Sequence, residues 1–360
     1  MTEALRVLLD ASALPRKPAG AGIYTIELAK ALAARDDIDL RTASPVDTGH
    51  GAWVETPRGG LRRNAWQQVR LGRAEADVIH GAHFAVPVRS KAPRVATVHD
   101  LTFFRIPRRY GWAHRSYYRT LARLAGRAER IIVPSQAVAG DVVRYLSYPP
   151  ERIRVIPEAP RSLPSPPDPL SRLRGRGGDA VSSGPYLLCV GTAEPGKRAV
   201  DAIRALAAMP EEGRPMLVLA GNAGRLSEPL ERETARLGVH ERVVFAGYVE
   251  DEALGGLMAG AAALVYPSLY EGFGLPPLEA MALGTPVIAT SAPAMTEVLG
   301  DGAVSVPLRD PAAIAREVTR ILTDRTWQEE RAARGRAKAA EYSWSRTAEE
   351  TVAVYREVAG

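Results

Sequence analysis

Cysteine is nearly absent. Cys189 is the single one in 360 residues, which excludes an internal disulfide and a thiolate metal cluster. It lies in the apolar run YLLCV and is expected in a core. Lysine is also scarce, with only Lys17, Lys30, Lys91, Lys197 and Lys338 against 42 arginines. A lysine inside a motif is therefore worth noting. Long apolar runs are missing too. The longest uncharged stretch, 253–270, is interrupted by Gly255, Gly256, Gly260 and Pro267, so a buried helix followed by a buried strand is expected there in place of a membrane span. The start MTEALRVLLD carries Glu3 early and Asp10 where an apolar segment should continue, so no signal peptide is expected and the chain is assigned to the cytoplasm.

What is present is ordinary globular composition, 46% hydrophobic and 24% charged, which excludes disorder or fibre as the main state. The length points to two domains. Charge is uneven: residues 1–165 carry 26 basic against 15 acidic side chains, or +11, and the remainder 21 against 26, or −5. A basic first half suits an anionic ligand or surface. No recognition motif accompanies the charge, so nucleic-acid binding is not expected.

Short apolar runs alternate with helical stretches throughout. In the first half they are 5–9, 77–81, 94–99, 130–134 and 152–156, with amphipathic segments at 21–34, 110–128 and 135–146. In the second half they are 186–190, 215–220, 242–247, 262–267, 286–290 and 303–306. This alternation predicts parallel sheets with right-handed crossovers, hence two doubly wound Rossmann-like α/β domains. A Pro-rich then Gly/Ser-rich stretch divides them. The expected organisation is a first domain over 1–165, a linker over 166–184 and a second domain over 185–344. Two such domains facing each other across a cleft would share a site at the carboxyl ends of their strands.

The strongest pattern is YPSLYEGFGLPPLEAMALGTPVIAT at 266–290. A strand ends at Pro267, a loop carries Glu271 to Gly274, and Pro276 and Pro277 open a helix, where a missing N–H costs nothing. The free amides of Gly274 and Leu275 then favour a phosphate. Glu279, placed in the first turn, and Glu271 can face one ligand together. Carboxylates accept from sugar hydroxyls, so the combination points to a nucleotide sugar. The plainer alternative is a strand–turn–helix whose Glu279 complements the helix dipole.

The pattern E-G-F-G-L-P…E-A-M-A-x-G-T-P-V-I resembles the retaining glycosyltransferases of family 4, two-domain enzymes of GT-B architecture. AGAGIYTIELAKAL (19–32) is similar to that family's Gly-rich loop, TVHDLTFF (97–104) to its histidine strand end, and VGTAEPGKR (190–198) to its phosphate loop. The resemblance implies that Glu279 binds the donor ribose and Glu271 a donor-sugar hydroxyl, that amides of Phe273, Gly274 and Leu275 meet the sugar and diphosphate, and that Lys197 neutralises the diphosphate. Thr192 and Gly196 stand where the family usually has an arginine, and Arg198 is expected to substitute. His99 would lie near the reacting anomeric carbon, with a satisfied core histidine as its alternative. Gly20 and Gly22 would bring amides to the phosphates, and Ile23 replaces a frequent arginine. A nicotinamide-dependent oxidoreductase is disfavoured, because the third glycine of that fingerprint is missing.

Arg108, Arg109, Arg115, Arg119, Arg123 and Arg127 interleave with Tyr110, Trp112, Tyr117 and Tyr118. Arg115, Arg119, Arg123 and Arg127 recur every four residues and read as one helical stripe, either contacting an anionic or lipid-linked acceptor at the inner membrane face or simply solvated. The expected activity is metal-independent, retaining transfer of a mannose-like or deoxyhexose unit from a nucleotide-diphosphate sugar to a glycan, lipid-linked or small-molecule hydroxyl. GDP-mannose is the first choice of donor, with UDP and dTDP sugars open. Lys197, Arg198 and the helix start at Gly274 would stabilise the leaving diphosphate, and the helix over 345–358 would return to the first domain. A catalytically weak nucleotide-sugar-binding protein of the same fold is the alternative.

Overall fold

The computed structural model describes residues 3–107, 111–164, 184–222, 224 and 226–360. The chain divides into two compact units, Met1–Ala159 with Ser343–Gly360 (unit 1) and Pro160–Tyr342 (unit 2).

Unit 1 holds β1 (Leu5–Asp10), β2 (Ile38–Ser44), β3 (Ala52–Glu55), β4 (Val78–Gly81), β5 (Arg94–Thr97), β6 (Arg130–Val133) and β7 (Ile153–Val155). They form one sheet in the order β3-β2-β1-β4-β5-β6-β7, and every pairing is parallel. Alternate side chains along each strand serve opposite faces. Val7 and Leu9 join Leu28, Leu32 and Tyr355 on one face, while Leu8 joins Leu71 and Ile79 on the other. The last helix, Trp344–Ala359, is part of the first of these cores through Val352 and Tyr355. Ser343 caps it by accepting from the Arg346 amide, and Thr347 donates to the Pro157 carbonyl at 2.7 Å.

Unit 2 holds β8 (Tyr186–Val190), β9 (Met216–Ala220), β10 (Val243–Gly247), β11 (Ala263–Tyr266), β12 (Val287–Thr290) and β13 (Val304–Val306). The order is β10-β9-β8-β11-β12-β13, again all parallel. Both sheets thus reverse direction of growth beside their first strand, which places a topological switch point between β1 and β4 and between β8 and β11. The 253–270 run is a helix, Asp251–Gly260, followed by β11. Cys189 lies in the unit 2 core, where burial pushes its thiol up to about 12.

Two expectations are corrected, and the strands β2 and β3 add to those that the apolar runs predict. Unit 2 takes up the chain at Pro160, ahead of the boundary placed at 165, because this segment is stitched to unit 2: Arg161 pairs with Glu279 and Asp251, and Pro164 packs so closely on Gly255 that a Cβ there would meet its carbonyl oxygen at 2.0 Å. The arginine helix is Trp112–Ala125, so Arg127 lies past its end. Residues 165–183 of the linker region, together with Arg108, Arg109 and Tyr110, lie outside the described residues.

Candidate active site

At the unit 2 switch point the loops after β8 and β11 meet. The Leu269 amide donates to the Gly196 carbonyl at 2.9 Å, tying one loop to the other. Across this junction Lys197 Nζ lies 2.7 Å from Glu271 Oε1 and 3.0 Å from the Tyr266 hydroxyl. The Lys197 and Glu271 side chains are 21% and 14% exposed. Burial opposes the lysine charge, but Glu271 and Tyr266 more than offset it, and the ammonium is held above its usual range. Burial moves the Tyr266 hydroxyl upward as well.

Gly274 ends the loop with φ 107° and caps the helix Leu275–Ala282. A side chain is excluded there twice over, since the φ is left-handed and a Cβ would lie 2.5 Å from Met295 Cε. Pro276 and Pro277 follow within the first turn and carry no N–H, so the unpaired donors of this helix start are concentrated at Gly274 and Leu275. Phe273 and Leu275 bury their side chains, Phe273 edge-on to Tyr342 at 5.6 Å.

Glu279 is the fifth residue of this helix, one step beyond the first turn, and is 1% exposed. Desolvation raises its pKa, and Arg161 works against that rise. Arg161 Nε lies 2.6 Å from Glu279 Oε1, while Nη1 lies 2.7 Å from Asp251 Oδ2. Arg161 lies in the Pro-rich stretch and was not singled out as a site residue; the charge required beside a buried Glu279 is the signal that could have found it. Arg198 adopts φ 54° and forks onto Asp201 at 2.8 and 2.6 Å, so its guanidinium is engaged within its own helix start. Thr192 lies in the loop after β8, half-buried, with its methyl near Gly224.

Unit 1 has its own concentration of polar groups at strand ends. His99, two residues beyond β5, is 8% exposed. Its Nε2 donates to the Ala82 carbonyl at 2.9 Å, its Nδ1 faces Glu158 Oε1 at 3.0 Å, and the Tyr24 ring lies 4.6 Å away. Behind it, His80 bonds the Tyr355 hydroxyl at 2.6 Å and Thr97 at 2.8 Å, and Tyr24 reaches the same Thr97 at 3.0 Å. Burial, with a smaller push from His99, lowers His80 to about 3 and keeps it neutral. At the end of β1, Asp10 is 3% exposed and held by Gln67 at 2.7 Å and the Ser12 amide at 3.0 Å. Nearby charge and burial also lower His83 to about 3, desolvation being the larger cause.

Residues 178–341 match the model described as glycosyl transferases group 1, and residues 18–159 match that of glycosyltransferase family 4. The O-antigen chain mannosyltransferase B of Escherichia coli is 32% identical over 298 residues, covering 82% of this chain and 77% of that protein. The chain belongs to the family 4 glycosyltransferases. The MMP alpha-(1->4)-mannosyltransferase of Mycolicibacterium hassiacum is 30% identical over 311 residues, covering 79% and 71%. The fold is that of the GT-B enzymes. HepE of Anabaena, solved in complex with UDP-glucose, superposes with a TM-score of 0.79 at 22% identity over 98% of this chain and all of that one. WaaG, a glycosyltransferase involved in lipopolysaccharide biosynthesis, gives 0.73 at 21% identity over 97% and 99%.

In this glycosyltransferase Gly20 caps the helix Ala21–Ala33 with φ 50°, and Gly22 sits in its first turn against Pro18. The arginine stripe is not one face. A four-residue step overshoots a full turn by about 40°, so the side chains spiral around the helix. Arg119 lies over the Phe104 ring at 4.9 Å, Tyr117 and Tyr118 pack on the core, and Arg123 and Arg127 are exposed. Trp112, 77% exposed, is the aromatic that faces solvent. The one Asp-x-Asp triplet, Asp37-Ile38-Asp39, leads into β2 and is structural in character: Asp37 pairs with Arg35 at 2.9 Å and Arg356 at 2.5 Å. Among the described residues no helix is long and apolar enough to cross a membrane.

Proposed function

We propose that this glycosyltransferase moves a hexose from a nucleotide-diphosphate sugar to a hydroxyl acceptor with retention and without a metal, GDP-mannose being the first donor to test. The carrying observation is the pair of carboxylates on one loop and helix of unit 2, Glu271 on Lys197 and Glu279 on Arg161, with the unpaired amides of Gly274 and Leu275 between them. Ribose hydroxyls would donate to Glu279, and a hydroxyl of the transferred sugar to Glu271. Lys197 would turn to the diphosphate, stabilising charge where it develops. In such a front-face displacement the anomeric carbon–phosphate oxygen bond breaks while the acceptor oxygen bonds to the same face, and the acceptor proton passes to the leaving phosphate. His99, held by Ala82 and Glu158, would border that reaction, and unit 1 would carry the acceptor. The mannosyltransferases among the relatives support mannose as the sugar.

A thermal-shift screen of GDP, UDP and dTDP with their sugars, followed by nucleotide-release assays with chelator present, tests the reading. GDP-mannose is expected to give the largest shift and to release GDP, with the product anomer unchanged from the donor. Shifts from every nucleotide diphosphate near zero would overturn the proposal. Tight binding with no release, with or without an acceptor glycan, would select the catalytically weak binding protein in its place.

A further inference from the structure

We propose that unit 1 carries a separate subsite for a phosphorylated hexose, in the pocket between the helix Gly60–Val69 and the β1–β3 edge of the sheet. The pocket has a volume of about 590 Å³, inside the ~300–1,000 Å³ range of small-molecule sites. Its residues all belong to unit 1, so it is distinct from the Lys197–Glu271 junction of unit 2.

Three observations define its chemistry. The first is Arg41. Along β2, Ile38 and Leu40 enter the core on one face of the sheet, and Ala43 packs on the opposite one. Arg41 shares that opposite face with Ala43, the face covered by the helix Gly60–Val69, at a position where an apolar side chain is the rule. It lines the pocket together with Arg70, and neither makes an ion pair among the described residues. The second is Thr56, which is 4% exposed. Its amide donates to the Ser44 carbonyl at 3.0 Å, yet its buried Oγ1 has no hydrogen-bond partner. Native proteins rarely leave such a group unanswered, and Thr56 is one of the residues that line the pocket. The third is Trp66, half-buried in the wall beside Leu8 and Val54.

Together these groups fit one ligand. Two guanidiniums without carboxylate partners suit a phosphate, which the planar fork binds through paired hydrogen bonds. An indole face and apolar neighbours suit the C–H face of a pyranose. The Thr56 hydroxyl and the Glu55 carboxylate, also in the lining, suit ring hydroxyls. The +11 charge of residues 1–165 favours arrival of the anion. The shared chemistry is a hexose phosphate, free or as a unit within a phosphorylated glycan.

Saturation-transfer NMR and tryptophan quenching on the full chain read the site, with mannose 6-phosphate, mannose, inorganic phosphate and a phosphorylated mannose oligosaccharide as probes. Mannose 6-phosphate is expected to bind saturably, about tenfold or more tighter than mannose or phosphate alone, each of which lacks one half of the recognition. Tighter binding of the oligosaccharide would assign the site to a glycan, and weaker binding to the free sugar phosphate. Arg41→Gln, Thr56→Val and the surface variant Arg70→Gln should each weaken mannose 6-phosphate binding while GDP binding stays unchanged. Glu279→Ala should do the reverse. Absence of binding, equal binding of phosphate and sugar phosphate, or full binding by the folded Arg41→Gln/Arg70→Gln variant would overturn the proposal. The GDP arm separates that result from failure of the transferase reading.

Discussion

In unit 2 each site carboxylate meets a full positive charge, Glu279 on Arg161 and Glu271 on Lys197, whereas the polar core of unit 1 runs largely through neutral groups, Tyr355 to His80 to Thr97 to Tyr24. The difference has consequences for how each unit responds to change. A charge pair in a desolvated place is costly to break, because the survivor is left alone in low dielectric. A neutral hydrogen-bond chain costs less to interrupt, but it requires its histidine to stay unprotonated. Unit 2 should therefore be sensitive to substitution at its site, and unit 1 to acid.

The largest effect is expected at the deepest pair. Glu279→Ala should cost unit 2 about 3–5 kcal/mol in denaturant unfolding, since Arg161 is then buried without its main partner. The Arg161→Ala/Glu279→Ala double variant should cost much less than the sum of the two singles. Additive losses would show that the two side chains do not depend on each other. The more open pair gives a sharper contrast: Lys197→Ala should destabilise by about 1.5–3 kcal/mol while abolishing most donor turnover, and full turnover would remove Lys197 from the diphosphate.

Acid provides the opposite contrast. His80 and His83 are lowered to about 3 in the folded state, so below pH ~6.5 the unfolded chain binds protons that the folded one does not. Unit 1 should lose stability progressively as pH falls from about 6.5 toward 3, and Thr97→Val, which removes a His80 partner, should shift this unit's melting without touching that of unit 2. Glu279 moves the other way. Its pKa is raised by burial, so its contribution is present at low pH and declines as pH rises above ~4.5. Arg161→Gln should steepen that decline, and should make nucleotide affinity increase with pH, because the carboxylate that accepts ribose hydroxyls then forms later. A pH-independent affinity in Arg161→Gln would break the link between the pair and the ribose. The smallest effects belong to the arginine helix and the turn after it: Arg123→Gln and Arg127→Gln should stay within about 0.5 kcal/mol, and Arg119→Gln should lose about 0.5–1 kcal/mol of its contact over Phe104.

The unit 2 sheet was readable from the sequence because its strands are unbroken apolar runs, as YLLCV shows. β2 and β3 were not, for opposite reasons. IDLRTAS is interrupted by the charged Asp39 and Arg41 and ends in polar and small residues that are nonetheless buried, and AWVE is four residues long and mostly exposed. The loop-and-helix part of the site was readable from Glu271, Gly274 and the two prolines. Arg161 and Glu158 were hidden, because both lie in Pro-rich coil whose contacts are made over long sequence distance: 118 residues separate Arg161 from Glu279, and 59 separate Glu158 from His99. The misaligned arginine stripe has a simpler origin, a repeat of 4.0 read on a helix of about 3.6 residues per turn.

The membership of Ser343–Gly360 in unit 1 has a consequence for synthesis. Unit 2 is one continuous stretch of chain, so it can close as soon as it leaves the ribosome. Unit 1 cannot, because Val352 and Tyr355, which seal the core around Val7, Leu9 and Leu28, are made after the whole of unit 2. During elongation that apolar face waits uncovered for the length of a whole second unit, the kind of exposure that invites aggregation or chaperone capture. Unit 1 is thus begun before unit 2 and completed after it, and its yield depends on the sixteen residues of the helix that follows unit 2.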